Sequence, residues 1–288
     1  MMRLPLTVIS GYLGAGKTTL INRLLAEDHG LRLMILVNDF GAINIDAALI
    51  ESRQDDTISL SNGCVCCTMG ADLYMALGDA LDRTPRPDHL IVEASGIADP
   101  AAIANAAIAE PELSYAGIIT LLDGLNGADL LRDRLIAPQV AQQIKAADMV
   151  LMTKSDAPSA DLTQALAEHD LRSPDALQGD APIAPLLSDV VPLPKGRPTA
   201  PHPLYVQWNT ETPGEFDRAE LMERLAARPE GLYRVKGFVA GPDGMHEVHV
   251  VGKHVDIRAS TATTPALVAL GLSDRLTVQQ IDNWWPGR

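Results

Sequence analysis

The sequence predicts an α/β chain in two parts, a mostly parallel sheet covered by helices on both faces and then a smaller α+β domain. Three observations predict it. Short apolar runs alternate with helix-period stretches along the first two thirds of the chain. A glycine-rich loop joins the first apolar run to the first helical pattern. A proline-rich stretch, Asp189 to Pro203, then separates this region from a tail of different composition.

The first strand is the apolar run Leu4 to Ile9. It runs into Gly11-Tyr12-Leu13-Gly14-Ala15-Gly16-Lys17-Thr18, which opens the amphipathic stretch Thr18 to Ala26. Gly, four residues, Gly-Lys-Thr between a strand and a helix is a phosphate-binding loop. Its glycines let backbone N–H groups face phosphate oxygens, and the helix N-terminus favours negative charge. Gly11, Gly14, Ala15, Gly16, Lys17, Thr18 and Thr19 are therefore the expected phosphate contacts. Lys17 reaches the β and γ phosphates and the Thr18 hydroxyl ligates Mg²⁺. The first domain is accordingly a P-loop NTPase domain.

Further strands are predicted at Leu31–Val37, Thr57–Leu60, His89–Val92, Ala116–Leu122, Met149–Met152 and Ile183–Leu187. Ligands gather at the C-terminal ends of strands in such sheets. At those ends lie Asn38-Asp39, Glu93 and Thr153-Lys154-Ser155-Asp156. Glu93 would orient Mg²⁺, usually through water, and Gly96 would let a backbone N–H approach the γ-phosphate. A solvent-facing Glu93 is the competing reading. The Asp156 carboxylate can accept two N–H bonds from guanine, and the Lys154 stem can pack over the base. ATP as the nucleotide, or Asp156 as a helix cap, is the competing reading there.

The domains are expected at residues 1–188 and 204–288, with 189–203 as linker. Seven of the eleven aromatic residues follow that linker, which predicts a separate core there. The histidines His246, His249 and His254 fall on an expected hairpin, with His246 and His249 on opposite faces. They read as solvated strand residues rather than as a second metal site. Arg234 and Lys236 are expected to pair with carboxylates at a domain interface, and Trp284-Trp285 to anchor the tail.

Hydrophobic residues make up 47% of the 288-residue chain, enough for a sizeable core, and the formal net charge is −14. That acidity argues against a nucleic-acid partner, which needs a broad basic surface. No apolar run has the length of a membrane span, so no membrane partner is expected. The start of the chain lacks the pattern of a signal peptide.

All three cysteines, Cys64, Cys66 and Cys67, lie within four residues and have no distant partner for a disulfide. That usage fits a reducing cytoplasm. Thiolates this close suit Zn²⁺, Cu(I) or Co²⁺. Zinc takes four ligands, so at least one comes from elsewhere or from water. Three structural thiols or a Cys64–Cys67 redox switch remain open.

The runs Ile9 to Asn22, Val37-Asn-Asp-Phe-Gly41, Asn62-Gly-Cys-Val-Cys-Cys67, Val92-Glu-Ala-Ser-Gly96 and Gln143-Ile-Lys-Ala-Ala-Asp148 occur in that order. Together they resemble the CobW-like family of P-loop GTPases. Arg234-Val-Lys-Gly237 resembles a short motif of that family's second domain. The resemblance implies a fold like that of the GTPases that insert nickel into urease and hydrogenase. It also implies a GTP-hydrolysing metallochaperone with GTP/GDP, Mg²⁺ and Zn²⁺ as ligands, a client metalloprotein as partner, and Asp39 as the added metal ligand, with a place near Mg²⁺ as the alternative for Asp39. A homodimer stays open. The chain departs from the family in Asp39, where Glu is usual, and Thr153, where Asn is usual. It also has no long histidine-rich tract. A nucleotide-dependent metal or redox sensor, or an ATP-dependent small-molecule kinase with structural cysteines, is the alternative from outside that reading.

Overall fold

A computed structural model describes residues 3–38, 57–60, 71–177, 181–190, 205–251 and 254–285. Asp39, Cys64, Cys66 and Cys67, and the linker from residue 191 onward, lie outside the described residues. Contacts divide the chain into two compact units, described in turn.

The first unit carries a seven-stranded sheet in the order β3-β2-β4-β1-β5-β6-β7. Its strands are β1 (Leu4–Gly11), β2 (Leu33–Asn38), β3 (Thr57–Leu60), β4 (His89–Glu93), β5 (Leu113–Asp123), β6 (Met149–Thr153) and β7 (Asp175–Ala176). Every neighbouring pair is parallel. Buried parallel strands need side chains that tolerate cover on both faces. Accordingly Leu6, Val8, Ile35, Leu36, Leu90, Ile91, Val92 and Ile118 have no measurable exposure. The crossing helices are α1 (Lys17–Ala26), α2 (Ala71–Leu81), α3 (Pro100–Ala109), α4 (Gly127–Arg132), α5 (Ala137–Ala146) and α6 (Ala160–Glu168), followed by the one-turn α7 (Leu186–Asp189). Helix α3 starts where it does because Asp99 caps it, accepting from the Ala101 N–H at 2.9 Å, with Pro100 in the first turn.

The expected strand at Ile183–Leu187 does not form. That stretch is a turn leading into α7, and β7 takes the edge position. The run is apolar because Ile183, Leu187 and Val190 enter the core beside α1. The Glu27 carboxylate holds the turn by accepting from the N–H groups of Ile183 (2.8 Å) and Ala184 (2.9 Å). A strand there would need those donors for a ladder.

One polar pair crosses the sheet at its opposite end from the phosphate loop. The Thr7 hydroxyl and His89 Nε2 lie 2.8 Å apart, and burial pushes the His89 pKa down to about 4, so the imidazole is neutral at pH 7.

The second unit has a five-stranded antiparallel sheet in the order β11-β10-β9-β12-β8. Its strands are β8 (Tyr205–Thr210), β9 (Leu232–Gly241), β10 (Gly244–Val251), β11 (His254–Ser260) and β12 (Ala266–Leu272). Helices α8 (Arg218–Ala226) and α9 (Val278–Trp284) share its core through Leu221, Leu225 and Ile281, with Trp208, Phe216 and Trp285. The aromatic enrichment of the tail is this core. Trp285 is 2% exposed and its Nε1 donates to the Pro213 carbonyl at 2.9 Å, while Trp284 Nε1 donates to the Arg224 carbonyl at 3.1 Å. The tail is anchored as the sequence suggests.

The histidines of β10 do alternate, but His246 is buried at 8% exposure, with Val248 and Val250, rather than solvated. His249 faces the other way and bonds Glu247. That bond, with the charges of Lys236 and Arg258, holds the Glu247 carboxyl below the usual range. Glu247 is thus one carboxylate near Lys236 within its own sheet. Among the described residues, no group of three or more His, Cys, Asp or Glu side chains has metal-binding geometry, and no helix is long and apolar enough to cross a membrane.

Candidate active site

Parallel registry brings the chemistry to one edge of the first sheet. Ile9 pairs with Glu93, Val37 also pairs with Glu93, Gly11 pairs with Leu121, and Asp123 pairs with Thr153. The C-terminal ends of β1, β2, β4, β5 and β6 thus lie side by side.

At the end of β1 the chain needs conformations that only glycine adopts easily. Gly11 has φ of 138°, and a Cβ there would lie 2.5 Å from the Leu121 carbonyl oxygen. Gly16 has φ of 96° and caps α1 with no side-chain bond, so the first N–H groups of the helix have no side-chain cap. Lys17 is 6% exposed, and its ammonium donates to the carbonyls of Gly11 (2.9 Å) and Tyr12 (3.4 Å), which draws it into the curve of the loop. Gly14 and Ala15 complete that curve, the Ala15 N–H donating to the Tyr12 carbonyl at 3.1 Å. Thr19 is exposed on the first turn of α1.

Thr18 and Glu93 meet. The Thr18 hydroxyl donates to Glu93 Oε1 at 3.2 Å, across 75 residues of sequence. Glu93 is 3% exposed, which rules out a solvent-facing carboxylate. Gly96 follows it and presses on the phosphate loop. A Cβ on Gly96 would lie 2.8 Å from the Leu13 nitrogen and 2.9 Å from its Cα.

The tetrad Thr153 to Asp156 lies at the next strand end. The Thr153 hydroxyl donates to the Ala15 carbonyl at 2.8 Å, tying this segment to the phosphate loop. Lys154 has φ of 63° and its ammonium bonds Asp123 Oδ2 at 2.7 Å. Asp156 is exposed, and the helix that follows is capped by Ser159, whose side chain accepts from the Leu162 N–H. Asp156 is therefore not the cap of that helix.

Two features escaped the sequence reading. Asp123, with 2% side-chain exposure, is the anchor of Lys154; its Oδ1 also accepts from the N–H groups of Leu125 (2.9 Å) and Asn126 (3.1 Å). It ends an apolar strand, the signal that marked Glu93. Gln139 and Gln143 of α5 reach the loop after Glu93, contacts between residues more than 40 apart in sequence that no local pattern reveals.

Family comparison matches residues 5–181 to the CobW/HypB/UreG nucleotide-binding domain and residues 205–283 to the cobalamin synthesis protein cobW C-terminal domain. Among curated relatives, the zinc chaperone CobW of Sinorhizobium sp is 35% identical over 182 residues, covering 54% of this chain and 51% of that protein. The zinc chaperone YjiA of Escherichia coli strain K12 is 33% identical over 184 residues, covering 60% of this chain and 57% of that one. The matched stretch thus spans little more than half the length of either relative. Among solved structures, Zn(II)-bound YjiA GTPase from E. coli aligns with 20% identity and a TM-score of 0.45 over 99% of both chains.

Proposed function

This chain belongs to the CobW/HypB/UreG family, and on that premise we propose that it is a GTP-hydrolysing metallochaperone. Its reaction is GTP + H₂O → GDP + phosphate, and its cargo is a thiophilic metal, zinc first among them, passed to a client metalloprotein. The observation that carries this reading is the meeting of three groups at one sheet edge: the phosphate loop, the Thr18–Glu93 pair and the Asp123-anchored tetrad.

Each group has its part. The backbone of Gly11 to Gly16 cradles the phosphates, and Lys17 offsets their charge. The Thr18 hydroxyl and the Glu93 carboxylate, 3.2 Å apart, are hard oxygen donors of the kind Mg²⁺ takes. They would hold it, with Glu93 acting through water, and the ion would neutralise charge on the β and γ oxygens. Gly96 lets the following loop come close to the phosphates. Thr153 fixes the tetrad against the loop, the Lys154 stem flanks the base, and Asp156 accepts two bonds from guanine.

Cys64, Cys66 and Cys67, with Asp39, are the proposed zinc ligands; the zinc in the names of both relatives supports that choice. A reducing cytoplasm keeps such thiolates available. We take residues 191–203 as the linker between the two domains, because Asp189 ends α7 and Val190 packs in the core of the first unit.

Base selection gives the test. Asp156→Asn replaces an acceptor of two N–H bonds by an amide that offers one acceptor. GTP affinity should fall about tenfold or more against ATP affinity, since each lost bond to a charged group is worth about 1.5–3 kcal/mol. Nucleotide titrations of both proteins measure the ratio. An unchanged ratio would remove guanine selection from Asp156.

A further inference from the structure

We propose that Gln139 and Gln143 of α5 are positioning residues that hold the loop after Glu93 in the form that reads the γ-phosphate. Through them α5 distinguishes triphosphate from diphosphate. The inference rests on the GTPase reading above and adds to it the element through which nucleotide state is sensed.

The two glutamines stand one helical turn apart on α5, so their amides lie on one face. Gln143 Nε2 donates to the carbonyls of Gly96 (3.2 Å) and Ala98 (3.1 Å). Gln139 Nε2 donates to the Ile97 carbonyl between them. Three successive carbonyls are thus held by two amides. Both glutamines are buried, at 6% and 2% exposure, where an unmade bond to a carbonyl is costly. Two carbonyl acceptors also fix which end of the Gln143 amide faces the loop, because only the NH₂ end can donate. Among the described residues Gln143 Oε1 has no hydrogen-bond partner, and the residue borders a small cavity beside Tyr12, Leu13 and Thr120. The side chain is therefore held by the loop it grips.

That grip sets the direction of the N–H groups of Ile97, Ala98 and Asp99, and the Ala98 N–H in turn holds the Ser95 carbonyl, whose peptide unit carries the Gly96 N–H. In planar trans peptides, fixing a carbonyl fixes the N–H on the opposite side of the same unit. The loop closes as a turn, with the Ala98 N–H donating to the Ser95 carbonyl at 3.0 Å. Its start, Glu93, touches Thr18, and its Gly96 abuts Leu13. A γ-phosphate seated in the phosphate loop meets this turn, whereas a diphosphate ends short of it. The cost of disturbing the turn passes to α5, because moving it breaks three buried bonds. The Gln143 backbone carries the link onward, its carbonyl accepting from the Thr120 hydroxyl of β5 at 3.1 Å. Strand β5 ends at Asp123, which holds Lys154.

Gln143→Met keeps length and apolar bulk but loses both donated bonds; Gln139→Met loses the bond to the Ile97 carbonyl. Affinities for GDP and for a non-hydrolysable GTP analogue, with turnover, separate a positioning role from a general structural one. In Gln143→Met, analogue affinity should fall about tenfold to a hundredfold, as two lost bonds imply. GDP affinity should stay within about twofold, kcat should fall with analogue affinity, and Gln139→Met should show the same pattern. Equal losses for both nucleotides, or no loss, overturn the proposal. A wild-type protein that binds neither nucleotide overturns the GTPase reading itself. Hydrogen exchange on the wild type needs no variant: peptides over 93–98 and 137–146 should slow together when the analogue replaces GDP. Exchange that slows in neither peptide, or in the first alone, also overturns it.

Discussion

Lys17→Ala should lower GTP turnover by about 100- to 1,000-fold, the usual effect of removing one charge-stabilising donor from a preorganised site. The ammonium sits in the curve of the phosphate loop, bonded to the Gly11 and Tyr12 carbonyls, where it is at hand as charge moves onto the departing phosphate. Removing it leaves two carbonyls without that partner, so some stability goes too, on the order of 1–3 kcal/mol. The sheet does not depend on it, and circular dichroism should match the wild type. Phosphate release measured at saturating GTP decides the matter; turnover close to wild type would place the chemistry elsewhere.

The second large effect is steric. Gly96→Ala should weaken binding of GDP and GTP alike, by about tenfold or more, and destabilise the fold by about 1–3 kcal/mol, the usual range for overpacking. The added methyl would lie 2.5 Å from Leu13 Cδ2 and 2.8 Å from the Leu13 nitrogen. A side-chain tip can swing aside, but the nitrogen belongs to the phosphate loop and moves only with it. Gly78→Ala is the control, because a Cβ at that helical position meets nothing within 4 Å. That change should leave binding untouched and stabilise slightly, by about 0.5–1 kcal/mol. Nucleotide titration and thermal melting of the two variants give the comparison. Normal binding by Gly96→Ala would mean that the loop after Glu93 yields freely.

How much of this was legible in the sequence depended on whether the signal was local. The phosphate loop, Glu93 and the tetrad each end a short apolar run, and a parallel sheet must bring such ends together. Asp123 carried the same signal and was passed over, because no motif names it. The run Ile183–Leu187 misled because an apolar stretch of five residues reads the same in a buried strand and in a turn that packs on a helix. What decided it was Glu27, more than 150 residues away, taking the N–H groups of the turn. For His246 and His249, alternation gave the opposite faces but not which face is covered. The glutamine grip joins a helix to a loop more than 40 residues distant, and only the folded chain brings them together.

Nucleotide state and metal should be linked. If GTP and GDP favour different forms of the metal segment, metal must in turn favour one nucleotide by the same factor. The direct measurement is a Zn²⁺ titration of the wild-type protein with GDP bound and again with a non-hydrolysable GTP analogue, both with Mg²⁺ present. The expected result is a difference in zinc affinity of about 5- to 150-fold, the range of ordinary coupling between sites. Equal zinc affinities in the two states would contradict a metallochaperone driven by the GTP cycle.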